Sequence, residues 1–224
     1  MGTYVDGTIA IGEDSFSAGG VFDARADPIV VGKMGLEVDH IEQDPLGAIG
    51  GEVATNLLNA ATSNNNAAVS PPISHPHYSI SLGNGDSLTL TTGVYYVKSI
   101  ILMNGSTLDI DASGGPVTIY QTGTGAHAGI EAKYGSTINF TAEPGEFRIY
   151  SDSAITIDFK NSGHFKGMIY APYADVMVMN SANAYGLFWA NKVFLKNDGE
   201  VFIDTTLTEE LLSTDVDLVS WKIL

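Results

Sequence analysis

Thr107-Leu-Asp-Ile110, Val117-Thr-Ile-Tyr120, Gly129-Ile-Glu-Ala132, Thr137-Ile-Asn-Phe140, Phe147-Arg-Ile-Tyr150 and Thr156-Ile-Asp-Phe159 are short apolar runs that share one format. Gly167-Met-Ile-Tyr170, Asp175-Val-Met-Val178, Gly186-Leu-Phe-Trp189, Lys192-Val-Phe-Leu195 and Glu200-Val-Phe-Ile203 continue the series to Asp204. A strand therefore begins roughly every ten residues, the spacing of an all-β architecture. Between the runs lie Asn104-Gly105, Gly114-Gly115-Pro116, Glu143-Pro144-Gly145, Asn161-Ser-Gly163 and Asn197-Asp-Gly199. Gly accepts positive φ and Pro fixes φ near −65°, so these are places where the chain corners.

Even spacing also suits a sandwich or barrel; likeness between elements two apart favours a stacked repeat. Thr137-Ile-Asn-Phe140 recurs as Thr156-Ile-Asp-Phe159, Phe147-Arg-Ile-Tyr150 recurs as Gly167-Met-Ile-Tyr170, and Thr107-Leu-Asp-Ile110 leads the series. Alternation places Leu108 and Ile110, Ile138 and Phe140, and Ile157 and Phe159 on one inward face. Thr107 with Asp109, Thr137 with Asn139, and Thr156 with Asp158 then form outward Thr-x-Asp/Asn ladders. The expected fold is all-β: a right-handed parallel β-helix, or β-solenoid, with one long flanking α-helix. The hand follows from the usual chirality of parallel crossovers.

The chain has 224 residues, enough for one large domain, and 44% hydrophobic residues, enough for a core. Twenty-six acidic against ten basic residues give a net charge of −16. That excludes nucleic acid as an expected partner, because phosphates require Lys/Arg clusters, and it opposes docking on an anionic membrane. Cations, cationic surfaces and neutral glycans stay open. The absence of cysteine rules out disulfides and thiol chemistry. Met1-Gly2-Thr3 does not begin a signal peptide, and no run has the length of a membrane-spanning helix. The expectation is a mature or truncated form of an exported protein, extracellular or on the cell surface, whose signal or membrane anchor is absent from this chain.

Residues 1–45 read as irregular strands (Thr8–Ile11, Gly19–Phe22, Pro28–Val31) joined by acidic connections. The acids Glu13, Asp14, Asp23, Asp27, Glu37, Asp39, Glu42 and Asp44 supply the oxygen ligands that calcium prefers, without the spacing of an EF-hand. Over 46–62 the period changes: Leu46, Ile49, Val53, Leu57 and Ala60 fall at steps of three and four, after Asp44-Pro45. This is the flanking helix. Residues 63–87 read as a polar loop, and His75-Pro-His77 within it lacks a third ligand of clear spacing for zinc. The main coils run over 88–205. Residues 206–224 read as a C-terminal cap, with a capping-box start at Thr206 to Glu209 and with Trp221 and Leu224 covering the open end.

The chain has no Gly-x-Ser-x-Gly, no Gly-Lys-Ser/Thr phosphate loop and no His-Glu-x-x-His. Polysaccharide cleavage on a β-helix needs two carboxylates that flank one bond, for which Asp109 with Asp158, or with Asp111, are the pattern candidates. Outward Asp residues are also what any solvated solenoid displays, and the expectation is no enzyme. Tyr170, Tyr173, Tyr185, Phe188 and Trp189 form an aromatic group. Phe188 reads as core, and Tyr173, next to Pro172 at a corner, as an exposed contact. The candidate ligand-binding residues are therefore Thr107, Asp109, Thr137, Asn139, Thr156, Asp158 and Tyr173, with no catalytic residue, no metal ligand and no cofactor except calcium.

Phe165-Lys-Gly-Met-Ile-Tyr-Ala-Pro-Tyr-Ala-Asp-Val176, Ala184-Tyr-Gly-Leu-Phe-Trp-Ala190 and Gly199-Glu-Val-Phe-Ile-Asp204 share a further likeness with Thr91–Tyr96 and Gly114–Tyr120. Together they resemble a family of bacterial surface β-solenoid domains of type IV pilus-associated, PilX-like proteins. More remotely, the early strands, the Leu46–Ala61 helix and the Thr92-Gly93-Val94-Tyr95 start are similar to the β-helical ice-binding proteins. The first resemblance implies a non-enzymatic exported domain for adhesion or pilus-associated assembly, with a surface polysaccharide or a protein partner. The second implies ice binding on a flat Thr/Ser/Ala face, from which Asp109, Asp158, Lys160 and Lys166 depart.

Overall fold

The computed structural model describes residues 2–5, 8–10, 21–24, 30–31, 47–123, 128–204 and Leu207, with backbone alone at 2–31 and 47–52. Its strands are β1 (Gly2–Val5), β2 (Thr8–Ala10), β3 (Val21–Ala24), β4 (Val30–Val31), β5 (Ser79–Leu82), β6 (Ser87–Thr91) and β7 (Gly93–Val97). They continue as β8 (Ser99–Leu102), β9 (Thr107–Asp111), β10 (Val117–Gln121), β11 (Gly129–Lys133), β12 (Thr137–Ile138) and β13 (Phe147–Ser151). The last four are β14 (Thr156–Lys160), β15 (His164–Met179), β16 (Asn183–Lys196) and β17 (Glu200–Ile203). One α-helix, α1 (Gly47–Thr62), stands among them.

Every pairing between these strands is parallel, and together they stack three sheets. The first joins β5, β8, β11, β14, the Asp175–Met179 half of β15 and the Lys192–Lys196 half of β16, followed by β1 and β3. The second joins β6, β9, β12, the starts of β15 and β16, β17, β2 and β4. The third joins β7, β10, β13 and the middles of β15 and β16. This is the expected parallel β-solenoid with a flanking helix. Strands β1 and β2 do not precede the first main coil; they follow the last one in space. The strands expected at Thr8–Ile11, Gly19–Phe22 and Pro28–Val31 correspond to β2, β3 and β4, and the first coil begins at β5, inside the stretch read as loop.

Helix α1 lies along the third sheet. Its 16 residues span about 24 Å at 1.5 Å each, enough to run beside the five strands of the third sheet at about 4.8 Å apart. Val53, Leu57 and Ala60 are buried, as the three-four spacing predicts. Val53 packs with Tyr170, and Leu57 and Ala60 with Tyr120. The partners are an outward column in exact register: Tyr96, Tyr120, Tyr150, Tyr170 and Trp189. Their rings follow one another at 5.5 Å (Tyr120–Tyr150), 6.1 Å and 6.5 Å.

Inside, like side chains stack on like. Ile80, Ile100, Ile130, Ile157, Val176 and Val193 form one column of β-branched residues, which suit a pleated surface. The coil then narrows. Residues 109–116 separate Leu108 from Val117, whereas Lys166 alone separates Phe165 from Gly167. The narrower turns are filled by Ala171, Ala174, Ala182 and Ala184, all fully buried. Gly186 marks the tightest approach: a Cβ there would lie 1.9 Å from the Gly167 carbonyl oxygen.

The corner between the first and second sheets repeats in each coil. Asn161, Asn180 and Asn197 take φ of 54°, 56° and 48°, the left-handed region that Asn tolerates. Their side chains continue the stack, Asn197 Nδ2 donating to Asn180 Oδ1 and Asn180 Nδ2 to Asn161 Oδ1, each at 2.8 Å. The turn formers expected at Asn161 and Asn197 are these corners. The acidic residues considered for calcium and the cap expected over 206–224 lie outside the described residues, except for the backbone of Asp23 and for Leu207.

Candidate functional site

The registers sort the expected binding residues onto different surfaces. Thr107 and Thr137 are neighbours in one outward column of the second sheet, preceded by Ser87. Asp109 stands beside that column, in register with Thr89, and its carboxylate lies 2.9 Å from the Thr141 hydroxyl. Thr156 and Asp158 belong to the first sheet, where they face Asp175 and Met177. The likeness between 137–140 and 156–159 therefore does not mark stacked strands: β12 stacks on His164–Phe165 of β15. The Phe147 and Gly167 runs do stack, as β13 on β15.

Asn139 is not a ladder residue. At φ 58° it turns into the protein, donates to the carbonyls of Ala142 (3.1 Å) and Lys166 (2.9 Å), and accepts the Ala142 N–H. That turn ends the strand, so Phe140, expected inside, is 78% exposed. Asp158 is buried and ion-paired with Lys160, while the adjacent strand pairs Glu131 with Lys133. One Asp158 oxygen has no described hydrogen-bond partner. Tyr173 is 64% exposed at the corner where register breaks between Ala171 and Asp175, the exposed position expected of it.

Asp109 and Asp158, on different sheets, cannot flank one glycosidic bond. Asp111 does share a face with Asp109. The Ser113 side chain and then its backbone N–H, hydrogen-bonded to the carboxylate, hold the Asp111 carboxyl below its ordinary value. A glycosidase acid needs the opposite shift. His75 packs edge-on against Tyr78 at 5.9 Å. Among the described residues no group of three or more His, Cys, Asp and Glu is placed to hold a metal. Among them, too, no helix is long and apolar enough to cross a membrane.

The second sheet carries a further set that the ladder reading missed. Its first outward column runs on from Thr137 through His164, Asn183 and Glu200, and its second holds Lys166, Tyr185 and Phe202. Tyr185 and Phe202 are register partners and are 42% and 37% exposed. Lys166 lies 3.5 Å from Glu143. Burial first, then the charges of Asp204 and Glu143, raise the Tyr185 hydroxyl above its ordinary value. The signal was present: Asn183-Ala-Tyr-Gly186 alternates, as does Glu200-Val-Phe-Ile203, with Ala184 and Val201 buried. A strand read from Gly186 onward hides it, because Tyr185 then falls outside the run.

A family model described as Domain of unknown function (DUF7305) matches residues 100–210, just under half of the chain, and this stretch is similar to that family. No curated protein matches the chain. Among solved structures, the Shewanella frigidimarina ice-binding protein_1 DUF3494 domain is similar at 17% identity and a TM-score of 0.34, over 91% of this chain and 87% of that one.

Proposed function

We propose that this chain is a non-enzymatic, exported cell-surface domain that holds an extended partner along the outer face of its second sheet. Its role is adhesion or pilus-associated assembly, the partner a surface polysaccharide or another protein. The observation that carries the reading is the in-register outward array, Ser87, Thr107, Thr137, His164, Asn183 and Glu200, beside exposed Tyr185 and Phe202. A rigid solenoid repeats hydrogen-bonding groups at about 4.8 Å, which suits a long ligand rather than a small one.

The test is retention on immobilised polysaccharides and on whole cells, with and without calcium, while products are assayed. Retention without new chain ends is expected, weakened by Thr107→Ala with Asp109→Ala or by Tyr185→Ser. New chain ends that disappear when one carboxylate becomes an amide replace the reading with an enzyme. A second reading, ice binding, is favoured by the hydroxyl rungs Ser87, Thr107 and Thr137 with Thr89 and Thr91. Asp109 and Asp111 interrupt that surface in the next coil. Thermal hysteresis at low protein concentration establishes ice binding, and its absence with glycan retention excludes it.

A further inference from the structure

We infer that Tyr185 and Phe202 are a stacking platform for the sugar rings of a glycan without anionic groups, an inference that rests on the second-sheet reading above. Adjacent strands place the two residues in register on one outward face, with their backbones about 4.8 Å apart along the stack. The corresponding positions in earlier coils are Thr89, Asp109, the inward-turned Asn139 and Lys166, so no described aromatic precedes Tyr185 in this column. The buried aromatic column of the third sheet lies under α1, whereas both rings here are more than a third exposed. An aromatic ring offers a flat apolar face to the C–H face of a pyranose. His164, Asn183 and Glu200, one outward column away, present donors and acceptors for sugar hydroxyls.

Two observations narrow the ligand. The strands beneath the platform are paired on both sides, β16 with β15 and β17, and β17 with β16 and β2. No main-chain groups are left there for a peptide to extend the sheet, which excludes a peptide bound by strand addition. Glu143 and Asp204 outnumber Lys166 around the Tyr185 hydroxyl, and the chain carries −16 overall, so a polyanionic glycan meets net repulsion. Neutral and amino-sugar polymers meet none.

The experiment is native gel retardation of the full chain in gels containing hydroxyethylcellulose, glycol chitosan or alginate. Retardation is expected with hydroxyethylcellulose or glycol chitosan and not with alginate. Tyr185→Ser and Phe202→Ser each weaken it by about tenfold, as loss of an anchor aromatic does. Tyr185→Phe, which keeps the ring, retains it, and so does Leu58→Ser on the exposed side of α1; unchanged melting temperatures confirm that the variants fold. Retardation by alginate, or undiminished retardation of the Tyr185→Ser/Phe202→Ser double variant, overturns the platform. A chain that none of the three polymers retards, yet that cells retain through Thr107 and Asp109, overturns the glycan and leaves the second-sheet reading standing. Retention indifferent to all of these substitutions overturns both.

Discussion

On the third sheet, Tyr96, Tyr120, Tyr150, Tyr170 and Trp189 fill one outward position in successive coils, and α1 lies over them. On the second sheet, Tyr185 and Phe202 also fill one outward position in successive coils, and their rings face solvent. Both are aromatic ladders built by the same parallel register. What lies outside them separates their roles. Buried rings gain from area removed from water and from ring-to-ring contact, whereas exposed ones keep that gain for a partner. Stability is therefore expected to respond to the third sheet, and binding to the second.

The largest effect should come where both sheets share backbone. Gly186 lies between Tyr185 and the third-sheet half of β16, at φ 134°. Gly186→Ala forces a Cβ against the Gly167 carbonyl and should cost about 3 kcal/mol or more, read as a lowered denaturant midpoint, with loss of both ladders. Next, Leu57→Ala removes packing from Tyr120 and should cost about 2–3 kcal/mol while leaving second-sheet binding intact in the folded fraction. If Leu57→Ala changes nothing, α1 does not hold the third sheet and the contrast collapses.

Asn180→Ala sits at the corner between the first and second sheets and belongs to neither ladder. It loses two amide hydrogen bonds and a side chain suited to positive φ, about 1–2 kcal/mol, with binding unchanged. Smaller still is Tyr185→Ser, within about 0.5 kcal/mol of wild type by thermal melting, because its ring is substantially exposed.

The Tyr185 hydroxyl sharpens the comparison by titration. Its folded pKa is raised, so its contribution to stability is full below the ordinary tyrosine value and is lost as pH rises through the folded one. In a phenolate absorbance titration, Tyr185→Phe should remove one tyrosine's absorbance from the late-ionising part of the curve, and Glu143→Gln should move that part earlier. Asp111 runs the other way. Its lowered pKa gives a contribution present above the unfolded value and lost as pH falls through the folded one, and Ser113→Ala should raise it.

Several features were legible because they depend on local chemistry. Leu57 and Ala60 announce a helix face by spacing, Asn161 and Asn197 announce corners by their tolerance of positive φ, and Ile157 and Val176 announce inward positions by alternation. The grouping of Thr137 with Thr156 failed because similar strands recur on different sheets, and likeness of sequence does not say which strand lies above which. Asn139 failed for a related reason: its left-handed turn ends the alternation that placed Phe140 inside.

Side-chain period and backbone freedom alone specify a parallel stacked β-architecture, the place of its helix and the residues at its corners. That β1 and β2 follow the last main coils, that α1 covers Tyr120 and Tyr170, and that Tyr185 and Phe202 stand open are visible only in the assembled stack. Those outcomes depend on register between strands far apart in the chain. Register is set by the packing of the whole stack, because a one-residue slip would turn every side chain to the other face.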